Sequence, residues 1–119
     1  MTTKPKVFIT NKAGHDFSSA ELFGDLVPVT TGNINVFRPD RDLFRIQEVL
    51  YEFNPEMDYL LLSGNVFANA MAIAAIYYAH PSHDINYLVY DAKNNTYLKH
   101  TLTRNRNGDV VFMRGEKSK

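Results

Sequence analysis

The segment Asp58–His80, DYLLLSGNVFANAMAIAAIYYAH, decides the fold of this chain. It begins with a short apolar run, Tyr59–Leu62, and is interrupted at Ser63–Asn65. It then continues through Val66–Ala79, in which Asn69 is the only strongly polar residue. The short run is typical of a buried strand and the long one of a buried helix, and glycine between serine and asparagine is typical of a turn into a helix. We therefore predict a buried strand, a tight turn and a buried helix.

The composition is that of one globular domain. The chain has 119 residues, of which 45% are hydrophobic and 22% charged, and a chain of this length can bury a core without disulfides or metals. Cysteine is absent, which excludes thiol nucleophiles and thiolate zinc sites and fits a reducing compartment. The N-terminus lacks the apolar core of a signal peptide, and no apolar run reaches the ~18 to 20 residues of a membrane span. We predict a cytoplasmic protein with no membrane association.

The charges are balanced overall but are unevenly placed. Residues 1–98 hold 7 Lys/Arg and 11 Asp/Glu, whereas residues 99–119 hold 6 Lys/Arg and 2 Asp/Glu. Nucleic-acid-binding proteins usually carry a basic face on the folded body, so the acidic body argues against a nucleic-acid partner. We predict an α/β domain over residues 1–103, followed by a basic, partly disordered C-terminal extension over residues 104–119.

Strand-like and helix-like segments alternate along the chain. The further strands are predicted at Lys6–Thr10, Leu26–Thr30, Ile85–Tyr90 and Thr96–Thr103, and a further, amphipathic helix at Asp40–Phe53. Alternation of this kind gives parallel pairing through right-handed crossovers, and the polar turn between the last two strands gives an antiparallel hairpin. We predict a single Rossmann-like α/β domain of three or two layers, with a mixed sheet of about five strands and a C-terminal β-hairpin.

The helix Val66–Ala79 is apolar on every side, and such a helix must be covered on more than one side. The residues predicted to meet the sheet are Ala70, Ile73, Ala74 and Tyr77. The residues predicted to lie on the opposite side are Phe67, Met71 and Tyr78. We expect another subunit to cover that side, so that these three residues form the interface of a homo-oligomer. The alternative is that the first helix and the tail cover it within one chain.

The turn Ser63–Asn65 is the best candidate for a ligand site. In open α/β sheets, ligands bind outside the carboxyl ends of the strands, where the free N–H groups of a helix N-terminus attract anions. Gly64 would let a phosphate approach the backbone, and Ser63 or Asn65 would donate further hydrogen bonds. The alternative is that Ser63 or Asn65 only caps the helix, and neither a GxGxxG nor a P-loop motif is present.

The loops after the first two predicted strands would complete an anion pocket beside this turn. Their candidate ligand-binding residues are Lys12, His15, Thr30, Thr31 and Asn33. A cationic lysine and hydroxyl and amide donors are suited to a phosphate or another small anion. The alternative is that these are ordinary polar loops, since most loops are polar.

Metal binding and catalysis are weakly indicated. Residues with metal-ligating side chains are His80, His83 and Asp84, with His15 and Asp16 as further donors. Pro81 breaks the helix between two of the histidines, and a structural site needs a closed set of ligands. A nucleophile elbow at Ser63 would need glycine at the position of Leu61. We therefore predict no metal site, no cofactor and no catalytic residue, and we favour a non-enzymatic protein.

Five segments also follow a pattern of known proteins. They are the aromatic-Gly-Asp-Leu-Val segment Phe23–Val27, the Arg- and Glu-rich helix Asp40–Phe53, the Asp-Tyr-Leu-Leu run Asp58–Leu61 with Gly64 and Asn65, the alanine-rich helix Val66–Ala79 and the strand Leu88–Tyr97. Together they resemble a family of small tailed-bacteriophage proteins of unknown function, over most of Phe23–Leu102. The resemblance implies a viral origin and an α/β fold, and it transfers no catalytic residue.

These features lead to two hypotheses of function. The first is a phage-encoded, non-enzymatic binding protein in the host cytoplasm that holds a small anionic ligand or nucleotide at Ser63–Asn65, for example as a sponge for a host signalling nucleotide. The alternative is a protein-interaction module that binds a host protein through an apolar helix face. An enzyme acting on phosphate esters ranks last, because no acid–base pair is identifiable.

Overall fold

Two helices and one 3₁₀ helix connect the four parallel strands of the protein. The computed structural model describes residues 4–104, 110–112 and 116–117. The elements in chain order are β1 (Lys6–Ile9), the 3₁₀ helix (Ser18–Leu22), β2 (Asp25–Pro28), α1 (Asp40–Leu50), β3 (Tyr59–Leu61), α2 (Val66–Ala79), β4 (Ile85–Asp91), β5 (Thr96–Arg104), β6 (Val110–Phe112) and β7 (Glu116–Lys117).

All strands belong to one mixed sheet. Its order is β2-β1-β3-β4-β5-β6, and β7 also pairs with β5. The strands β1 to β4 are parallel, and β5 is antiparallel to β4, to β6 and to β7. The predicted α/β class, mixed sheet and C-terminal hairpin are therefore confirmed. The predicted boundary at residue 103 falls within β5, and residues 110–112 and 116–117 of the extension that was predicted to be partly disordered form β6 and β7. Its residues 105–109, 113–115 and 118–119 lie outside the described residues.

The strand order reverses at β1, and this reversal creates the place where a ligand would be expected. The chain passes from β1 to β2 on one side and then crosses to β3 on the other side. Right-handed crossovers that run in opposite directions place their connections on opposite faces of the sheet. The carboxyl ends of β1 and β3 therefore meet at a topological switch point, the usual position of ligands in open α/β sheets.

Alternate residues of the strands form two cores, one on each face of the sheet. On the first face, Phe8, Leu60 and Tyr87 are buried with Ile46 of α1 and Ile76 of α2. The residues of the core on the second face are Val7, Ile9, Leu61, Leu88 and Tyr97, together with Phe17 and Ala20 from the segment of the 3₁₀ helix. This two-residue period is what a strand buried on both faces requires. The domain thus carries both α-helices on one face and a short 3₁₀ helix on the other.

The boundaries of α2 are as predicted, and the prediction of its sheet-facing side is right for Ile73 and Tyr77, which pack against the core, but wrong for Ala70 and Ala74. Ala70 and Ala74 are exposed, whereas Met71, predicted for an intermolecular surface, is buried in the core beside α1. A helix that is apolar all round has no amphipathic period from which its rotation can be read. Contact with α1 decides the rotation, and that contact is made only in the folded chain.

Candidate functional site

Polar side chains from three loops and one helix meet at the carboxyl ends of β1, β2 and β3. We call them the switch-point cluster: Thr10 and Asn11 after β1, Thr30 after β2, Ser63 and Asn65 after β3, and Asn69 in the first turn of α2. Their sequence separations reach 59 residues. The fold therefore assembles this cluster from distant segments, at the position where the switch point predicts a ligand.

Asn11 is the centre of the cluster and is only 2% exposed. Its Nδ2 donates to Thr30 Oγ1 at 3.1 Å and to the carbonyl oxygen of Gly32 at 3.0 Å. Its Oδ1 accepts a hydrogen bond from the backbone N–H of Asn65 at 2.9 Å. Both amide donors and an acceptor position are thus used, as a buried amide requires. One side chain ties together the loops that follow β1, β2 and β3.

Thr10 and Asn69 hold the backbone of the Ser63 turn. The Ser63 N–H donates to Thr10 Oγ1 at 3.0 Å and to Asn69 Oδ1 at 3.1 Å. Asn69 Nδ2 donates to the carbonyl oxygens of Ser63 at 2.8 Å and of Asn65 at 2.7 Å. The Thr30 hydroxyl donates to the carbonyl oxygen of Thr10 at 2.7 Å. The Ser63 N–H and the carbonyl oxygens of Ser63 and Asn65 are therefore satisfied within the protein.

The N-terminus of α2 is capped by Asn65, one of the two residues weighed as a cap from the sequence. Asn65 has φ −60° and ψ 129°, and its Oδ1 accepts a hydrogen bond from the Ala68 N–H at 3.0 Å. This is the standard geometry of an asparagine N-cap. In the described part of the chain, the N–H groups of Val66 and Phe67 make no hydrogen bond. Together with the Gly64 N–H, the Ser63 hydroxyl and the Asn65 Nδ2 group, which also donate no hydrogen bond in the described residues, these two amides are donors that the turn can offer to an anion.

Glycine is required at position 64 by its left-handed backbone and by its close contact with the Asn11 side chain. Its φ is +72°, and a Cβ atom at this position would lie 2.3 Å from Asn11 Oδ1 and 2.8 Å from Asn11 Cγ. A left-handed backbone favours glycine, and no side chain fits at such distances. The Asn11 amide occupies the space that a Cβ atom at position 64 would take, while Gly64 itself is exposed.

The other predicted site residues lie in different surroundings. Lys12 and Thr31 form an isolated parallel bridge next to the cluster, and both side chains are exposed. Asn33 lines a polar cavity of about 340 Å³ at the start of α1, with Asn35 and Arg38 among its walls. The His15 ring lies 4.9 Å from the Tyr90 ring, with an edge-on contact. The hydrogen bonds of the cluster thus bring Ser63 and Asn65 together with the β1 and β2 loops, whereas His15 and Asn33 make separate contacts.

Sequence reasoning missed Thr10 and Asn11 as site residues. Both are buried, although loop residues with polar side chains are usually exposed. The available signal was their position directly after the apolar strand KVFI, where buried polar groups need partners from neighbouring loops. Which loops supply those partners depends on the strand order.

The family match agrees with the phage resemblance found in the sequence. Residues 5–104 match the family described as Phage Pam3 gp32-like protein. That span contains both helices, β1 to β5 and the entire switch-point cluster. The chain belongs to the phage Pam3 gp32-like family. No curated protein and no solved structure matches it.

In this gp32-like chain, the titratable groups with shifted pKa values lie outside the switch-point cluster. Burial raises the pKa of Tyr97 to about 12, with a further contribution from Tyr90. Burial also lowers the pKa of His80, and the neighbouring His83 lowers it further. A hydrogen bond from the Ser18 backbone lowers the pKa of Asp16. The cluster itself consists of amides and hydroxyls, which can bind and orient a ligand but supply no acid–base pair near neutral pH.

Neither a metal-binding cluster nor a membrane-spanning helix occurs among the described residues. Among residues 4–104 and the short strands that follow, no group of three or more His, Asp or Glu side chains is arranged to hold a metal ion. In the same residues, no helix combines the length and the apolar character that crossing a membrane requires.

Proposed function

We propose that this phage protein is a non-enzymatic protein-binding module and that its working surface is the outer side of α1 and α2. The observation that carries the proposal is a set of exposed aromatic rings on these helices. Tyr51 is 89% exposed, Tyr78 90% and Phe44 68%. We call the surface the helical face and define it by Phe44, Tyr51, Val66, Phe67, Ala70, Ala74 and Tyr78. A group of exposed aromatic and aliphatic side chains such as this one is typical of an interaction site on a small domain.

Two rings on α1 lie on one side of the helix. Phe44 and Tyr51, which directly follows the last residue of α1, are seven residues apart, about two helical turns. The core residues of α1 are Ile46 and Leu50, so the two rings point to a different side from the buried stripe. Aromatic side chains supply large contact areas at interfaces and are enriched among the residues that dominate binding energy.

The part of the helical face that α2 forms is apolar and has small side chains at its centre. The helix contains no charged residue, and its exposed residues include Ala70 and Ala74 between Phe67 and Tyr78. Small side chains let a second helix approach closely, because the distance between packed helices depends on the side chains at the contact. The face therefore suits a partner that presents a helix.

A groove between the two helices gives the partner a place to insert side chains. The groove has a volume of about 650 Å³ and is lined by Leu43, Gln47, Leu50, Tyr51, Met71, Ala74, Ala75, Tyr78 and Ala79. Its lining is apolar except for Gln47 and the tyrosine hydroxyls. Grooves of this kind accept the apolar residues of an amphipathic helix at spacings of three, four and seven residues. We therefore propose a protein partner with an apolar helical surface.

Substitution of Tyr78 by glutamate tests this function. A buried aromatic anchor typically contributes 2 kcal/mol or more to binding, so we expect Tyr78→Glu to weaken partner binding by at least about 30-fold. Partners are captured from infected host cells with the tagged protein, and the affinity of each purified partner is then measured by calorimetry. Leu22→Glu is the matched control, because Leu22 is 71% exposed on the 3₁₀ helix at the other face of the sheet. Equal affinities of the two variants would contradict the proposal.

A second candidate function, the binding of a small anion or nucleotide, is favoured by the open amides of Val66 and Phe67. They lie at the start of a 14-residue helix, whose dipole attracts negative charge. A sponge for a signalling nucleotide is one form of this function. The internal hydrogen bonds of Asn11 and Asn65 leave fewer free donors than the sequence suggested, so we rank this candidate second.

Val66→Pro tests the anion candidate without disturbing the turn. Proline is favoured at the first position of a helix, and the extended conformation of Asn65 is compatible with a following proline. The substitution removes one open N–H, so we expect binding of a nucleotide to weaken by roughly ten-fold with no loss of thermal stability. Val66→Ala is the control, because it shortens the side chain and keeps the N–H. Native mass spectrometry and calorimetry with a panel of nucleotides provide the measurement, and equal binding by both variants would exclude this amide from the site.

A further inference from the structure

We infer that the partner of the helical face is a second copy of this chain, docked about a two-fold axis that lies in the plane of the face and runs across the two helices. This identity of the partner rests on the proposed function. Three observations support it: the distribution of charge along α1, the pattern of small and large side chains on α2, and the exposed area of the face.

The symmetry allows two arrangements when one face packs against its copy. Both helices follow parallel strands of the same sheet, so they run in nearly the same direction. A two-fold axis along the helices would place α1 on the partner's α2, with the helices parallel. A two-fold axis across the helices places α1 on the partner's α1 and α2 on the partner's α2, with each pair antiparallel.

The charges of the α1 segment distinguish the two arrangements. Residues 38–45 carry three arginines and two aspartates, whereas residues 46–56 carry three glutamates and no basic residue. Asp40 already pairs with Arg38, which leaves Arg41 exposed at the start of the helix and Glu52 exposed just after its end. Antiparallel pairing of α1 with its copy brings the exposed Arg41 of one helix, which lies between Asp40 and Asp42, toward the exposed Glu52 of the other. The alternative would place these charges over α2, which has none to pair with them.

The exposed stripe of α2 is also complementary to itself. Its centre consists of Ala70 and Ala74, and its ends carry Val66 and Phe67 on one side and Tyr78 on the other. When two such stripes pack antiparallel, alanine meets alanine at the centre, so the two backbones can approach closely. The larger side chains then meet at both ends. The uncharged surface adds no repulsion between the copies.

The exposed area is sufficient for a stable dimer. At roughly 200 Å² for each aromatic side chain, the exposed fractions of Phe44, Tyr51 and Tyr78 correspond to on the order of 500 Å². Val66, Phe67 and the alanines add to this area, and a standard interface buries about 800 Å² on each partner. The apolar centre with a charged rim on α1 follows the usual anatomy of an interface.

Sedimentation velocity over a range of protein concentrations tests the inference with the purified full chain. We expect the wild type and Leu22→Glu to form a dimer, and Tyr78→Glu to be a monomer with unchanged circular dichroism. Because the two-fold axis places the substitution in the interface twice, dimerisation should weaken by on the order of 100-fold or more. A wild type that stays monomeric overturns the self-association. The capture experiment with Tyr78→Glu and Leu22→Glu then judges the protein-binding function independently. A Tyr78→Glu variant that still dimerises overturns the inference that the helical face is the dimer interface, and the capture experiment again tests the protein-binding function separately.

Charge exchange tests the direction of the axis. Arg41→Glu alone and Glu52→Arg alone should each weaken the dimer by roughly ten-fold, because each places like charges together twice. The double variant Arg41→Glu/Glu52→Arg should restore the dimerisation constant to within about three-fold of wild type. A double variant as weak as the two single changes combined would overturn the antiparallel pairing of α1.

Discussion

Gly64→Ala is expected to lower the free energy of unfolding by roughly 3 kcal/mol, because backbone strain and steric overlap add at this position. Its φ of +72° disfavours any Cβ atom, and that atom would overlap the buried Asn11 side chain. Asn11 cannot move away without breaking its bonds to Thr30, Gly32 and Asn65. Urea denaturation followed by circular dichroism measures the loss.

Gly32→Ala separates the two causes. Gly32 also has a left-handed φ, +69°, but a Cβ atom there would meet nothing within 4 Å. Its substitution should therefore cost only the conformational term of about 1 kcal/mol. If both variants lost the same free energy of unfolding, the Asn11 side chain would have to move aside at little energetic cost, which would contradict the prediction. Because of the overlap with Asn11, a larger residue such as valine at position 64 is expected to unfold the protein. A loss of ligand binding in that variant would then reflect unfolding, so Val66→Pro is the appropriate test of ligand binding.

Asn11→Ala is expected to destabilise the protein by about 3 kcal/mol. The substitution leaves the Asn65 N–H and the Gly32 carbonyl without their partner and removes the bond that Thr30 Oγ1 accepts, and an unsatisfied buried polar group costs roughly 1 to 3 kcal/mol. It removes the link between the three loops of the switch point. Asn33→Ala, at an exposed asparagine of the neighbouring loop, should change stability by less than about 0.5 kcal/mol.

Hydrogen exchange gives this second prediction a local measurement. In Asn11→Ala the Asn65 amide should exchange faster relative to global unfolding, because it has lost the acceptor Oδ1. The combination of Asn11→Ala with Gly64→Ala should cost less than the sum of the single changes, since the overlap with Oδ1 and Cγ is gone. An additive double variant, or an unchanged Asn65 exchange rate, would contradict the role assigned to Asn11.

The switch-point cluster and the helical face therefore have different parts in this protein. The cluster is a network of amides and hydroxyls that fixes three loops, and its open donors in the described residues include the amides of Val66 and Phe67. The helical face exposes aromatic rings that the fold itself does not use. Stability variants at the cluster and interaction variants at the face should consequently affect separate properties.

Local sequence signals predicted the elements well. The range of α2, Val66–Ala79, agrees with the structure, because an asparagine precedes it and His80-Pro81 follows it. The edge position of β2 agrees with Pro28, which cannot donate to a central ladder. These features depend on the chain within a few residues, so propensity and turn chemistry are sufficient to identify them.

The sequence by itself determined an α/β domain with parallel strands, a hairpin and an apolar helix capped by Ser63 or Asn65. Only the tertiary structure decided that Asn11 occupies the space beside Gly64, that Met71 is buried, and that Tyr51 and Tyr78 are exposed together. The physical reason is that local periodicity and caps act over one or two turns, whereas the partners of the buried Asn11 amide lie 19 to 54 residues away and those that set the rotation of α2 lie on another helix. A helix that is apolar on all sides carries no local record of which side its neighbours will cover.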